Sequence, residues 1–244
     1  MLEKKNDKTV IAITGEGPTD YGIREFASEW LWGPVGIYVL KIADSFGKNI
    51  GLVPIERKEV EAVVLGRSAE RLNGKAAPAR RFYIAVKKRG IGFGIYYSDT
   101  DKIAGTRNTG LDAERSWKQR YDEITEGLCN DMYHFIPMVP LRMIENWILA
   151  DRDALENVGG SVGYYFDKKP EMLWGDEHNP ESNYPKRVLD RVFNSMKKKP
   201  KDRGRTFYVN VSEKQKLEVL LERCPISFKV FYDDLTRILN TQDI

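Results

Sequence analysis

Acidic side chains follow several of the apolar segments of this sequence, close to the point where each segment ends. Glu16 lies in GEGPTD directly after the first apolar run, and Glu145 follows a later one. Asp99 and Asp101 follow GIYY. Carboxylates that share one place repel each other and raise each other's pKa unless a divalent cation compensates their charge. The chain has only two histidines and no CxxC pair, so a metal would take oxygen ligands. Mg²⁺ or Mn²⁺ on such a cluster suits phosphodiester chemistry.

Each of these carboxylates also has an ordinary structural interpretation. Glu16 could interact with the N-terminal dipole of a following helix, and Asp99 and Asp101 could cap a turn. Glu145 could pair with Arg142, three residues earlier on a helix. Its neighbours in LRMIENWILA are almost all apolar, however, and burial of an unpaired carboxylate is costly. The joint occurrence of these residues at strand ends favours one shared site over separate coincidences.

The elements that must position these carboxylates alternate over about the first 150 residues. Apolar runs predict strands, and helical spacing of apolar residues predicts helices. The strands are expected at 8–13, 35–43, 91–101 and 134–139, and the helices at 21–32, 78–88, 109–129 and 141–151. Such alternation is typical of an α/β fold with an open, mostly parallel sheet and helices on both faces. Functional groups gather at the carboxyl ends of the strands in such a sheet.

The rest of the sequence has a different pattern. It is rich in loops up to about residue 184 and then shows helical spacing at 185–198 and at 212–240, with a break at Cys224 and Pro225. We therefore expect a core of residues 1–155 and a helical extension of residues 156–244 that packs on this core. The segment 51–73 fits either a short helix or a loop.

Composition limits the class of protein. The 244 residues carry a net charge of +3, and no apolar stretch is long enough to span a bilayer. The first residues, MLEKKNDKTV, lack the apolar segment of a secretory signal, so we expect a cytoplasmic protein. Basic residues cluster in KKKPKDRGR, at 197–205, which could form a solvated loop or contact phosphates.

The carboxylate motifs resemble those of the Toprim fold, the catalytic domain of topoisomerases, bacterial primases and OLD-type nucleases. That family carries a Glu in a Gly-containing turn after its first strand and a DxD after a later strand. GEGPTD and SDTD match these motifs in the same order. The segments VPLRMIENWILAD, YPKRVLD and LLERCPISFKVFYDDL resemble, more particularly, the Toprim-like proteins grouped as DUF4276.

The resemblance implies a metal-dependent nuclease that acts on DNA or RNA. Proteins of this kind are often encoded in bacterial antiphage defence systems beside an ATPase of the AAA or ABC type that controls them. Glu16, Asp99 and Asp101 match the family's motifs and would bind Mg²⁺ or Mn²⁺, with Asp20 as a further ligand. Glu145 matches the Glu of the later segment and would be another ligand or the general base.

The phosphate backbone of the substrate would be held by basic residues near the DxD and in the cluster at 197–205. These candidates are Lys102, Arg107, Lys197, Lys198, Lys199, Lys201, Arg203 and Arg205. The family's DxD is commonly followed by Gly, and Lys102 stands there instead. This departure leaves the number of metal ions open.

Two other classes of protein share parts of the pattern. YYSDTDKI approaches the aspartate pair of HAD-type phosphatases, but that motif should lie near the start of the core, and Ile103 stands where Thr or Val is usual. A non-catalytic subunit that binds nucleic acid or a partner ATPase would also carry a basic cluster. The chain has no GxxxxGK[ST] and is therefore not itself a P-loop ATPase. The oligomeric state is left open, with a homo-oligomer as one option.

Overall fold

The computed structural model describes residues 8–26, 29–66, 71–100, 110–201 and 203–241. The strands are β1 (Thr9–Thr14), β2 (Gly22–Arg24), β3 (Trp30–Trp32), β4 (Ile50–Pro54), β5 (Phe93–Tyr97) and β6 (Phe135–Met138). The helices are α1 (Pro34–Ser45), α2 (Arg57–Glu61), α3 (Ala76–Lys88), α4 (Gly110–Gly127), α5 (Ile144–Ile148), α6 (Arg152–Gly159), α7 (Pro185–Ser195), α8 (Arg205–Lys214), α9 (Leu217–Arg223) and α10 (Ser227–Asn240). A single π-helical turn, Gly17–Tyr21, follows β1, and a 3₁₀ turn spans Pro170–Met172.

Four strands form one parallel sheet in the order β4-β1-β5-β6. Ile13 of β1 lies opposite Pro54 of β4, Thr14 lies opposite Tyr96 of β5, and Tyr97 lies opposite Met138 of β6. All four carboxyl ends therefore meet at the same edge. The two short strands β2 and β3 pair with each other in an antiparallel hairpin that is separate from this sheet.

Helices cover both faces of the parallel sheet. This is expected because its strands are apolar along nearly their whole length and must be buried on both sides. Ile11, Ile13 and Tyr97 point into a core shared with α1 and the helices from α5 to α10. Ala12 and Tyr96, the alternate residues, point into a second core shared with α2, α3 and α4. The predicted α/β class, with a parallel sheet and helices on both faces, is confirmed.

Two of the predicted elements were wrong. Segment 35–43 is part of α1 and not a strand, because its apolar residues repeat at helical spacing and Pro34 suits the first helical turn. Segment 21–32 was expected to be a helix, but Gly22–Arg24 and Trp30–Trp32 are the paired strands β2 and β3. Gly22 has φ of +122° there, and a Cβ on it would lie 2.3 Å from the carbonyl oxygen of Leu31, so the close approach of the two strands requires glycine.

Segment 51–73, expected to be a short helix or a loop, contains α2 but begins with most of strand β4, which was missed. The other predicted elements are confirmed with shifted ends. The strands at 8–13 and 134–139 correspond to β1 and β6, and the helices at 78–88 and 109–129 correspond to α3 and α4. The predicted helix at 141–151 is only the short α5, with α6 following separately. The C-terminal helical region is broken before Ser227, as expected, and also between α8 and α9. No helix in the described part of the chain has the length and apolar character needed to cross a lipid bilayer.

Candidate functional site

The turn after β1 carries Glu16 over the side chain of Tyr97. A Cβ on Gly15 would lie 2.9 Å from Cδ1 of Tyr97 and 3.1 Å from Cβ of Tyr21, a distance that only glycine accommodates without a shift. Gly17 has φ of +74°, in the region that glycine adopts readily. The two glycines therefore bracket Glu16 because the backbone must pass close to Tyr97 and then turn sharply.

Glu16 is held by side chains from two other elements. Its Oε1 accepts a hydrogen bond of 2.7 Å from Oγ of Ser98, the residue directly after β5. The same oxygen pairs with the ammonium group of Lys75, just before α3. The side chain of Glu16 is 41% exposed and that of Lys75 is 25% exposed, so the pair lies at the surface of the carboxyl edge.

The hydroxyl of Tyr97 joins two of the predicted acidic residues. It lies 2.7 Å from Oδ1 of Asp99 and 3.1 Å from Oδ2 of Asp20. Asp20 comes from the π-helical turn after β1, and Asp99 follows β5. Since β1 and β5 are neighbours in the sheet, their carboxyl ends bring the two aspartates to the hydroxyl group of one buried tyrosine.

Asp20 is the carboxyl group most affected by this environment. Its pKa is raised to about 7, chiefly by burial and also by the nearby charges of Glu145 and Glu16, whereas the hydrogen bond with Tyr97 and the charge of Lys186 act to lower it. Burial also raises the pKa of Tyr97 well above its ordinary value. The tyrosine therefore keeps its proton, and negative charge accumulates around Asp20.

Glu145 is buried beside this group, at the start of α5. The helix begins there because Oδ1 of Asn146 accepts a hydrogen bond of 3.1 Å from the backbone N–H of Met143. Oε1 of Glu145 accepts a hydrogen bond of 2.8 Å from the hydroxyl of Tyr208 on α8. Glu145 is only 4% exposed, and its charge is close enough to Asp20 to raise the pKa of that carboxyl group.

The structure thus brings together four of the predicted acidic residues, Glu16, Asp20, Asp99 and Glu145. Asp101, Lys102 and Arg107 lie outside the described residues. Within the described part of the chain, no three His, Cys, Asp or Glu side chains form a group that could hold a metal ion.

The lysines of the predicted basic cluster are exposed, whereas its two arginines contact other residues of the protein. Lys197, Lys198, Lys199 and Lys201 are exposed. Arg203 forms an ion pair with Asp190, and Arg205 donates a hydrogen bond of 3.5 Å to the carbonyl oxygen of Trp32. Arg203 also lies near enough to Tyr208 for its charge to lower the pKa of that phenol, which burial raises. Binding of nucleic acid by these residues stays a prediction.

Several residues of the site were missed by the sequence interpretation. Tyr97 and Ser98 directly precede the DxD, so their position at a strand end was a usable signal. Lys75 and Tyr208 had no such signal, because they reach Glu16 and Glu145 from 59 and 63 residues away in sequence.

Comparisons of the chain with protein-family models, with curated proteins and with solved structures returned no match. The class of this protein is therefore described from its fold and its site alone. It is an α/β protein with a carboxylate cluster at the carboxyl edge of a parallel sheet.

Proposed function

We propose that this chain is a metal-dependent phosphodiester hydrolase of the Toprim type, acting on DNA or RNA. One observation carries the proposal: Asp20 and Asp99 reach the same hydroxyl group from two neighbouring strands, with Glu16 on the adjacent Ser98. The sequence separation of these residues is large, and a purely structural role for each would not require them to converge. The resemblance to Toprim nucleases supports the same chemistry.

The donor atoms of this cluster suit Mg²⁺ or Mn²⁺. They are carboxylate and hydroxyl oxygens, which hard divalent cations prefer. Burial raises the pKa of Asp20, and the charges of Glu145 and Glu16 raise it as well, so a divalent cation beside these carboxylates would offset the cost of ionising Asp20. Glu16, Asp20 and Asp99 do not by themselves form a three-ligand group in the structure. We propose that Asp101 holds the ion together with them.

When bound, the ion would activate water and stabilise the charge that develops on the phosphoryl group. The side chains around it have separate tasks. Tyr97 orients Asp20 and Asp99 through its hydroxyl, and Ser98 orients Glu16. Lys75 neutralises Glu16, and Tyr208 fixes the carboxylate of Glu145 toward the site.

The cleavage experiment uses purified protein with plasmid DNA, single-stranded DNA and total tRNA, with Mg²⁺ or Mn²⁺ and with EDTA as the control. We expect metal-dependent cleavage that falls about a hundredfold or more in Asp99→Asn and in Asp101→Ala. Asp122→Asn is the matched control, since Asp122 is exposed on α4 and pairs only with Lys118, one turn away. Parent-like activity of Asp99→Asn and Asp101→Ala would remove the site assignment. If the parent is inert, the test is repeated with a candidate ATPase partner.

A non-catalytic subunit that binds nucleic acid or an ATPase is the second candidate. The observation that favours it is the lack of a three-ligand metal group among the described residues, together with the exposed lysines of the cluster at 197–201. Calorimetric titration with Mn²⁺ separates the two candidates. A hydrolase of the proposed type binds Mn²⁺ and loses this binding in Asp99→Asn, whereas a non-catalytic subunit does not bind the ion.

A further inference from the structure

A cavity of about 740 Å³ opens at the carboxyl edge of the sheet beside Glu16. Its walls come from the turn after β1, from the start of α2 and from the first turns of α3. Of the carboxylate cluster, Glu16 lines this cavity, whereas Asp20, Asp99 and Glu145 do not. Its volume lies within the range of about 300–1,000 Å³ that is usual for small-molecule sites.

The charged residues in the wall of the cavity do not balance. They are the carboxylates Glu16, Glu56 and Glu61 and the cations Arg57, Lys58, Lys75 and Arg81. Each carboxylate has a cationic partner in this wall: Glu61 pairs with Arg57, Glu56 with Lys58 and Glu16 with Lys75. Among the described residues, Arg81 is left as the cation of this wall without an acidic partner.

Arg81 is also left with an unsatisfied donor. Its Nε is buried and donates to no acceptor in the described structure. The neighbouring Arg80 shows the contrast, because its guanidinium group donates to the carbonyl oxygens of Gly127 and Glu126 and ties α3 to the end of α4. An anion with several acceptor oxygens in the cavity would pair with the guanidinium group of Arg81, which has no acidic partner among the described residues.

Part of the wall is aromatic. Tyr21, Trp30 and Tyr96 line the cavity, and Tyr21 and Trp30 pack against each other with ring centroids 4.8 Å apart. Trp30 carries a second unsatisfied donor, since its Nε1 is buried without an acceptor in the described structure. A ligand that combines an anionic group with a flat ring would suit the cation Arg81 and the aromatic side chains of this wall.

We propose that this cavity binds one nucleotide of a single-stranded nucleic acid, with Arg81 on its phosphate and the aromatic wall on its base. A base can enter a cavity only when it is unstacked and unpaired, which a single strand allows and a duplex resists. The proposal rests on the hydrolase function above, because Glu16, which lines the cavity, would place the metal beside the strand held there. It names single-stranded DNA or RNA as the substrate class.

The test is a binding measurement without metal. A short fluorescein-labelled oligothymidylate and a duplex of equal length are titrated with the protein in EDTA, and fluorescence anisotropy gives the two dissociation constants. We expect the single strand to bind more tightly than the duplex. Arg81→Met should weaken single-strand binding about tenfold and reduce the slope of log K against log salt by about 0.7, the loss of one phosphate contact.

Lys88→Met is the matched control, because Lys88 lies on the same helix and is exposed away from the cavity wall. It should bind the single strand like the parent. Circular dichroism checks that both variants are folded. If Arg81→Met does not fold, the same binding measurement is made with Arg81→Lys. The proposal is then tested by the affinity of this variant for the single strand and by the preference of the parent for the single strand over the duplex.

Three results would overturn the proposal: equal affinity of the parent for single strand and duplex, parent-like binding by folded Arg81→Met, or binding of free thymidine monophosphate with no binding of the strand. The hydrolase function fails separately. If the parent prefers single strands through Arg81 but cuts nothing with Mg²⁺ or Mn²⁺, the proposal of a nucleotide site stands and the proposed reaction is wrong. If the parent cuts nucleic acid while Arg81→Met binds the single strand normally, the proposed reaction stands and the nucleotide site is wrong.

Discussion

One phenol proton at Tyr97 lies between two carboxyl groups. The hydroxyl can donate to one acceptor only, and Asp99, at 2.7 Å, is the nearer. Asp20, at 3.1 Å, can complete the chain of hydrogen bonds when it carries a proton of its own and donates it to the phenol oxygen. Its raised pKa of about 7 makes that protonated form available near neutral pH. Asp20, Tyr97 and Asp99 can therefore form one continuous chain of hydrogen bonds.

This arrangement predicts how stability depends on pH. Asp20 has a pKa of about 7 in the folded chain against an ordinary value of 3.8, so the folded state binds its proton more tightly than the unfolded state. Below pH 3.8 this carboxyl group is protonated in both states, and its contribution to stability is fully present. As the pH rises from there toward 7, the group ionises in the unfolded state but not in the folded state, so that contribution is lost. In EDTA, Asp20→Asn should exceed the parent in the free energy of unfolding by about 4 kcal/mol at about pH 8 and match it at about pH 3.

Urea unfolding at several pH values checks this prediction. Asp44→Asn is the control, because Asp44 is exposed at the end of α1. A pH-independent difference between Asp20→Asn and the parent would mean that the carboxyl group is not protonated in the folded chain.

Removal of the Tyr97 hydroxyl should weaken metal binding without loss of the fold. Tyr97→Phe keeps the buried ring but leaves Asp20 and Asp99 without the group that holds them. Groups that orient metal ligands typically contribute about tenfold or more in affinity, so the dissociation constant for Mn²⁺ should rise about tenfold by calorimetry. Tyr133→Phe, at an exposed position, should match the parent, and an unchanged affinity in Tyr97→Phe would contradict this role.

At the level of elements, the strands that carry the site were predictable because their apolar runs are buried on both faces. β1, β5 and β6 have this property, and the carboxylates that follow β1 and β5 are adjacent in sequence to strand ends. Local pattern was misleading where two periodicities overlap. The run at 35–43 is rich in β-branched and aromatic residues, which favour strands, but its burial repeats every three to four residues, as in α1.

The hairpin of β2 and β3 shows a second limit of sequence interpretation. Its stability comes from contacts between Tyr21, Trp30 and Trp32, whose ring centroids lie 4.8 to 5.9 Å apart. These are tertiary contacts, and the local sequence pattern gives little indication of them. For the same reason Tyr208 could not be assigned to the site, since α8 reaches Glu145 only after the whole chain has folded.

The start of α10 depends on one buried carboxylate. Glu171 accepts hydrogen bonds from the backbone N–H groups of Ile226, Ser227 and Phe228 and from Oγ of Ser227. It therefore supplies acceptors to the donors that a helix leaves unpaired at its first turn. Glu171→Ala should lower the free energy of unfolding by about 3 kcal/mol, measured by urea unfolding. Glu177→Ala, in the exposed loop, should change it by less than about 0.5 kcal/mol, and an equal effect of both changes would contradict the capping role.

On the scale of the whole molecule, the C-terminal helices complete one face of the sheet. Trp147 of α5 packs against Phe228 of α10 with ring centroids 5.1 Å apart, and its indole N–H donates to Oγ of Ser227. Gln215 accepts a hydrogen bond of 2.6 Å from Tyr38 of α1 and donates to the carbonyl oxygen of Trp147. The buried apolar side chains of both regions form one continuous cluster.

This shared core predicts that the chain unfolds as one cooperative unit. A chain that ends at residue 155 would expose Tyr38 and Trp147 to water and lose the Tyr208 partner of Glu145, so hydrophobic burial would no longer offset the entropy of ordering the sheet. We expect the shortened chain to lack a cooperative thermal transition, while the full chain shows a single transition with equal calorimetric and van't Hoff enthalpies. Two separate transitions in the full chain, or a folded shortened chain that binds Mn²⁺ like the parent, would show that the carboxylate site is complete without the C-terminal helices.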